Sequence, residues 1–235
     1  MNDTTQNTTR DDNYEAFIMA KVAEAPAVGF EPPLTLTDSL FPHQRDIVRW
    51  ACLRGRAAIF ASFGLGKTRM QLEIARQTVA HATSETADAE VQNEMFLIVA
   101  PLAMRGEFRR EGEAMGMSPL FVRTDAEVDA ARFVGVCIFI TNYESVREGK
   151  INPARFVGVS LDEAAILRGF GGTKTFREAM ATMAGDDRRD MSARVVTDGV
   201  KYRFVATATA SRNEFVELLA YSAFLGAMDV STAKT

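Results

Sequence analysis

Ala61-Ser62-Phe63-Gly64-Leu65-Gly66-Lys67-Thr68 is the stretch that decides the fold of this chain. An apolar run, Ala57-Ala58-Ile59-Phe60-Ala61, leads into it, and an amphipathic segment from Lys67 to about His81 leads away. The order is strand, glycine-rich turn, helix. Gly64 and Gly66 permit backbone dihedrals that a Cβ would oppose, so successive N–H groups can converge on one anion. The start of the helix adds unpaired N–H groups and the positive end of its dipole. In such a loop, formed by Phe63, Gly64, Leu65 and Gly66, Lys67 reaches the β- and γ-phosphates of a nucleotide. The Thr68 hydroxyl is the expected Mg2+ ligand. The general pattern G-x-x-x-x-G-K-[ST] is met at Gly66-Lys67-Thr68, with Ala61 standing where its first glycine would be.

Outward from this loop, apolar runs and helical patterns alternate. Strands are expected at 57–61, 96–100, 120–122, 136–141, 157–161 and 203–206, and helices at 67–81, 104–115, 174–183 and 214–224. A further helix is expected to begin at Pro42, a favourable first-turn residue, and to stop near Gly55. Near-continuous apolar strands separated by helices indicate a mostly parallel sheet covered on both faces. The expected fold is therefore an α/β, doubly wound domain of the P-loop type. Upstream, residues 14–24 read as a short helix, followed by a Pro/Gly-rich connector. Residues 83–94 and 185–198 are polar and read as surface loops.

Composition sets outer limits. Of the 235 residues, 47% are hydrophobic and 25% charged, ordinary values for a globular chain. No apolar run approaches membrane-spanning length, so no membrane association is expected. Residues 1–13 are polar and acidic, unlike a signal peptide. Cys52 and Cys137 have no nearby cysteine, which fits a reducing, cytoplasmic setting. His43 and His81 are the only histidines, too few for a His-based metal site. A net charge of −4 excludes a broadly basic surface but leaves room for a local nucleic-acid groove.

Two further segments carry chemistry. Val157-Gly158-Val159-Ser160-Leu161-Asp162-Glu163 is an apolar strand delivering two carboxylates at its C-terminal end, where open α/β sheets bind ligands. Beside a phosphate loop their roles separate: Asp162 for the Mg2+ shell, Glu163 to orient or deprotonate the attacking water. Phe204-Val205-Ala206-Thr207-Ala208-Thr209-Ala210 ends a strand in alternating threonines. At period two, Thr207 and Thr209 face the same side and can link the carboxylate pair to another surface.

In this order the segments resemble the first RecA-like domain of superfamily 2 helicases, closest to Swi/Snf-type and phage or prophage DEAD-like translocases. Phe41-Pro42-His43-Gln44-Arg45 resembles the upstream glutamine motif, which implies that Gln44 reads the adenine edge. The segment from Ala61 to Thr68 resembles motif I of that family, in which alanine at the first position is usual. Ala100-Pro101-Leu102 with Arg105 resembles motif Ia, and Thr141-Asn142-Tyr143-Glu144 resembles motif Ib. Leu161-Asp162-Glu163-Ala164-Ala165-Ile166-Leu167 resembles motif II, and Ala206 to Ala210 resembles motif III. The resemblance implies ATP and Mg2+ as cofactors and nucleic acid as partner, DNA more than RNA. It also implies phosphate contacts from Pro101, Arg105, Thr141 and Asn142, with Lys67, Asp162 and Glu163 as the catalytic set.

Two departures stand out. Motif II reads Asp-Glu-Ala-Ala rather than DEAD or DEAH, and motif III has Ala210 where relatives commonly carry proline. Neither change touches phosphate or metal. The expected organisation is an N-terminal extension over 1–33, an ATP-binding domain over 34–228 and a short tail over 229–235. Helicases of this kind need a second RecA-like domain, in cis or trans, that supplies arginines across the cleft. No Gln-x-x-Gly-Arg segment occurs, so the chain reads as a fragment or a split-gene half that binds ATP but is weakly active alone. Two other classes remain open: a P-loop ATPase unrelated to nucleic acid, and a non-catalytic nucleotide-binding module.

Overall fold

Phe96-Leu97-Ile98-Val99 shows how this chain builds its core: as a strand it is buried at every position. Phe96 and Ile98 pack into one apolar cluster, Leu97 and Val99 into another. Successive side chains of a strand leave on opposite faces, so an unbroken apolar run must be covered on both sides. The computed structural model describes residues 27–32, 35–85, 95–164, 183, 199–209 and 216–228.

The described elements run α1 (Pro42–Arg54), β1 (Arg56–Phe60), α2 (Lys67–Glu85), β2 (Phe96–Val99) and α3 (Arg105–Ala114), then β3 (Leu120–Phe121) and α4 (Asp125–Phe133). They continue with β4 (Ile138–Thr141), α5 (Tyr143–Arg147), β5 (Gly158–Asp162), β6 (Tyr202–Thr207) and α6 (Val216–Leu225). The six strands form one sheet in the order β1-β6-β5-β2-β4-β3, and every pairing is parallel. The α/β, parallel fold class expected from the sequence is the one observed.

One face carries Val48 and Ala51 of α1, Met70 and Ile74 of α2, and Phe108 of α3, packed on Ile59, Ile98, Ile140 and Phe204. The other carries Val128 of α4, Tyr143 and Val146 of α5, and Tyr221 and Phe224 of α6, packed on Leu97, Phe139, Leu161 and Val205. Truncating a buried Leu, Ile or Phe here to Ala would cost about 2–5 kcal/mol each. The two layers hold the C-terminal ends of β1, β5 and β6 side by side. Phe60 of β1 is in register with Thr207 of β6, and Asp162 of β5 with Ala206 of β6.

Several boundaries differ from the sequence reading. α2 runs to Glu85, through Thr83 and Ser84, where polarity pointed to a loop. Both hydroxyls turn back onto the helix, Thr83 Oγ1 donating to Val79 O and Ser84 Oγ to His81 O, so they do not compete with it. α4 and α5 were not foreseen. Their N-caps are Thr124, which accepts from Glu127 N–H, and Asn142, which accepts from Ser145 N–H. Cys137 precedes β4 and is only partly buried, whereas a buried strand was expected. The expected helix at 14–24, all of the expected helix at 174–183 but Met183, the expected loop at 83–94 beyond Glu85 and the loop at 185–198 lie outside the described residues.

Candidate nucleotide site

The loop after β1 turns through Gly64 at φ +81° and Gly66 at φ +78°, both in the left-handed region that disfavours any Cβ. Gly66 is required by its φ, and any side chain there would also displace the Gln44 amide. A Cβ there would sit 2.2 Å from Gln44 Nε2. Met70 N–H donates to Gly66 O, so the helix begins directly under the loop. A cleft of about 470 Å³ opens above it, lined among others by Phe41, Gln44, Lys67, Thr68, Glu107 and Asp162. Phe63, Gly64, Gly66 and Glu163 complete the expected residues in its wall. Leu65, half-exposed in the same loop, takes part through its backbone carbonyl.

The chain's own groups hold each of these side chains. Lys67 Nζ curls over the loop, donating to Ala61 O at 3.0 Å and to Ser62 O at 3.5 Å, and lies over the Phe63 ring. Thr68 Oγ1 donates to Glu107 Oε1 at 2.8 Å. Gln44 is buried: its Oε1 accepts from Phe41 N–H at 3.0 Å and its Nε2 donates to Leu65 O at 3.0 Å. One of two N–H groups and one of two acceptor sites are thus committed to the α1 N-terminus and the glycine-rich loop. Gln44 ties the two together, a role the sequence reading did not anticipate.

Asp162 is 2% exposed. Its Oδ1 accepts from Gln71 Nε2 at 2.8 Å, and Gln71 Oε1 accepts from Ser160 Oγ at 2.7 Å. Its Oδ2 is buried without a hydrogen-bond partner among the described residues. Burial pushes the Asp162 carboxyl up to about 6, against the hydrogen bond from Gln71, which pulls it down. A buried carboxylate oxygen with no donor is costly unless a cation or donor meets it. Mg2+ binds through one or two carboxylates plus substrate phosphates, with waters filling the rest. Asp162 Oδ2 and the Thr68 hydroxyl fit that pattern. No group of three or more His, Cys, Asp or Glu side chains suited to a metal occurs among the described residues. An ion here would need the phosphates as ligands.

Glu163 follows at φ +49°, the one non-glycine residue with positive φ among those described. A left-handed backbone at a bulky polar residue costs on the order of 1 kcal/mol and gathers at functional sites. The Thr207 hydroxyl lies 3.3 Å from Glu163 Oε2 and accepts from Thr209 N–H at 3.1 Å. Thr207 therefore reaches Glu163 of the carboxylate pair, with Thr209 supporting it through its backbone.

Tyr143 Oη donates to Asp162 O at 2.6 Å in the core. Gln71, Glu107 and Tyr143 were all missed by sequence reasoning. Gln71 follows Thr68 by three residues, so both lie on one helix face, the only signal that pointed to it.

The residues expected to meet phosphate backbones divide. Pro101 heads the short 3₁₀ turn before α3, and Arg105 is exposed at the start of α3, its guanidinium over the Phe121 ring. Asn142 caps α5 through its Oδ1, also accepting from Ser145 Oγ at 2.6 Å. Thr141 corrects the expectation. It is fully buried, and its hydroxyl donates to Val122 O at 2.8 Å, so its side chain is committed to the sheet and not offered to a ligand.

No family model matches this sequence, and no curated protein sequence matches it significantly. Solved structures of the same fold include the SWI2/SNF2 ATPase core of Sulfolobus solfataricus in complex with double-stranded DNA. It aligns with a TM-score of 0.59 and 18% identity over 91% of this chain. The UvsW helicase of bacteriophage T4 aligns with a TM-score of 0.48 and 10% identity over 90% of this chain. This chain spans 40% of the length of the first and 64% of the second. The fold is RecA-like, a parallel α/β sheet of the kind seen in the Sulfolobus ATPase core.

Proposed function

We propose that this chain is the ATP-binding half of a motor that moves on nucleic acid, DNA in preference to RNA. The observation that carries the reading is the cleft into which the end of β1 delivers Lys67 and Thr68 and the end of β5 delivers Asp162 with Glu163, Thr207 of β6 reaching Glu163 from behind. Lys67 would release its loop carbonyls to pair with the β- and γ-phosphates. Thr68 and the unpartnered Asp162 Oδ2 would hold Mg2+, which supplies neutralising charge to the phosphoryl oxygens. Glu163 would orient the attacking water and accept its proton, with Thr207 fixing the carboxylate. Phe41 and Gln44 line the same cleft, and the Gln44 amide, with one N–H and one acceptor site uncommitted, would read the adenine edge.

Phosphoryl transfer also needs cations against the charge that develops in the transition state. Arg69 is the one arginine lining this cleft among the described residues, and it is held by Glu111 and by Ser39 O. That supports a second RecA-like domain, in cis or trans, as the source of the missing arginines. The Sulfolobus core, of which this chain spans 40%, was solved on double-stranded DNA. Exposed Arg105 at the α3 N-terminus, with Asn142 and Pro101, is the proposed backbone-tracking edge.

Among the described residues no helix is long and apolar enough to cross a membrane. Burial raises the Cys52 thiol to about 12, so it is inert. The buried, unpaired thiol is compatible with the proposed cytoplasmic setting. The test is ATP turnover by this chain alone and with single-stranded DNA, duplex DNA or RNA, alongside binding of each nucleic acid at rising salt. Slow turnover and DNA binding that falls steeply with salt are expected. Fast turnover by a monomeric chain would overturn the need for a second domain. No salt-sensitive binding of either nucleic acid would overturn the motor reading.

A further inference from the structure

The Thr68 hydroxyl has a partner that the phosphate-loop pattern does not contain. Glu107 Oε1 accepts its proton at 2.8 Å, from a helix 39 residues further along the chain. A hydroxyl carries one proton and two lone pairs, and the rotor is free unless something takes the proton. With the Thr68 O–H directed at Glu107, the lone pairs are presented away from that carboxylate. Rotamers that would aim the O–H at a cation are disfavoured. Gln71 does the complementary thing to Asp162, taking Oδ1 and leaving Oδ2 over.

We propose that Glu107 is a positioning residue for the Mg2+ ion that accompanies nucleotide, acting through Thr68 and not by coordination. The proposal rests on reading the cleft as a Mg2+-nucleotide site. Metal ligands are commonly oriented by such outer partners, whose loss weakens metal affinity about 10–100-fold. Glu107 is well mounted for the task. Phe108, the next residue, is fully buried in the core. One turn further on, Glu111 Oε2 accepts from Arg69 Nε at 2.6 Å. α3 thus grips two consecutive residues, Thr68 and Arg69, in the first turn of α2. Because no group of three or more His, Cys, Asp or Glu side chains suited to a metal occurs among the described residues, where the Thr68 oxygen points decides how well phosphate and protein share the ion.

The charge of Glu107 gives the proposal a distinctive signature. Without metal, a carboxylate lining the cleft repels a triphosphate; with metal, it helps through Thr68. Removing it should therefore impair only metal-assisted binding. The experiment titrates a fluorescent ATP analogue first in chelator and then at rising Mg2+, on the whole chain. The proteins are wild type, Glu107→Ala, Glu107→Gln and, as a reference for the site, Lys67→Ala. The Mg2+ needed for half-maximal enhancement should rise roughly tenfold in Glu107→Ala. Metal-free affinity should stay equal or tighten. Glu107→Gln, whose carbonyl still accepts from Thr68, should fold like wild type and fall between the two.

An unchanged Mg2+ midpoint would overturn the proposal. Equal losses with and without Mg2+ would show a merely structural role and overturn it as well. A lowered midpoint would mean that Glu107 competes with the ion. If Lys67→Ala binds as well as wild type, the nucleotide reading fails, and this proposal with it.

Discussion

Replacing Gln71 by Met tests whether the buried polar link between α2 and β5 holds the Asp162 carboxylate in place. Met has nearly the shape of Gln but none of its hydrogen-bonding groups, so the cavity term is small. Two bonds are lost, from Gln71 Nε2 to Asp162 Oδ1 at 2.8 Å and from Ser160 Oγ to Gln71 Oε1 at 2.7 Å. A hydrogen bond to a charged group contributes about 1.5–3 kcal/mol, and a stranded buried hydroxyl costs about 1–3 kcal/mol. The Met side chain itself buries no unpaired polar atom, which offsets part of this. The expected loss is about 2–4 kcal/mol, or roughly 5–15 °C in Tm for a chain of this size. Urea unfolding in metal-free buffer at pH 7.5 measures it. Adding Ser160→Ala to the variant should recover about 1 kcal/mol, because the stranded hydroxyl goes with it. A Gln71→Met protein within 0.5 kcal/mol of wild type would refute the reasoning. So would a double variant less stable than the single one.

Glu163→Gln should leave Mg2+-ATP binding within about twofold and abolish turnover when a second domain is supplied, since an amide orients water but takes no proton; retained single-turnover hydrolysis would place the base elsewhere. Gly66→Ala should cost on the order of 1–2 kcal/mol from its positive φ alone, with the Gln44–Leu65 bond broken as well because the new Cβ would meet Gln44 Nε2 at 2.2 Å. Thermal melts and nucleotide titration of that variant check both effects. At Glu73, burial works to raise the carboxyl, but hydrogen bonds from Arg76, Gln77 and Thr37 outweigh it and hold the group below its ordinary value. Its contribution to stability is therefore present above pH 4.5 and lost as pH falls through the lowered native value. Glu73→Gln should accordingly flatten the acid limb of stability below pH 4.5 in urea melts, and an unchanged limb would show that the network is not what fails in acid.

The parts of the site that the sequence made legible are local. The Gly64-Leu65-Gly66-Lys67-Thr68 turn carries its own geometry, and Asp162-Glu163 follows an apolar run whose burial on both faces could be read directly. What could not be read is set by distance along the chain. Glu107 meets Thr68 across 39 residues and Gln71 meets Asp162 across 91. On helices, a glutamine after Arg69-Met70 and a glutamate beside Phe108 look like surface residues until the sheet order is known. Thr141 failed for a related reason. Whether a strand-end hydroxyl faces a ligand or a neighbouring carbonyl depends on β3, a strand of two residues that brings Val122 O alongside. α4 was missed although Thr124 and Glu127 stand at cap spacing, because its nine residues follow too short a strand to suggest a crossover.

The central claim is that the cleft above Gly64 to Thr68 binds nucleotide through Lys67. Calorimetric titration of Mg2+-ATP into the wild-type chain and into Lys67→Ala tests it directly. Losing a charge-assisted contact costs about 1.5–3 kcal/mol, which corresponds to roughly a 10- to 150-fold weaker Kd at about 1.4 kcal/mol per tenfold. The account predicts one site per chain in the wild type and a loss of that size in the variant. No binding by the folded wild-type chain, or equal affinity in both proteins, would contradict it.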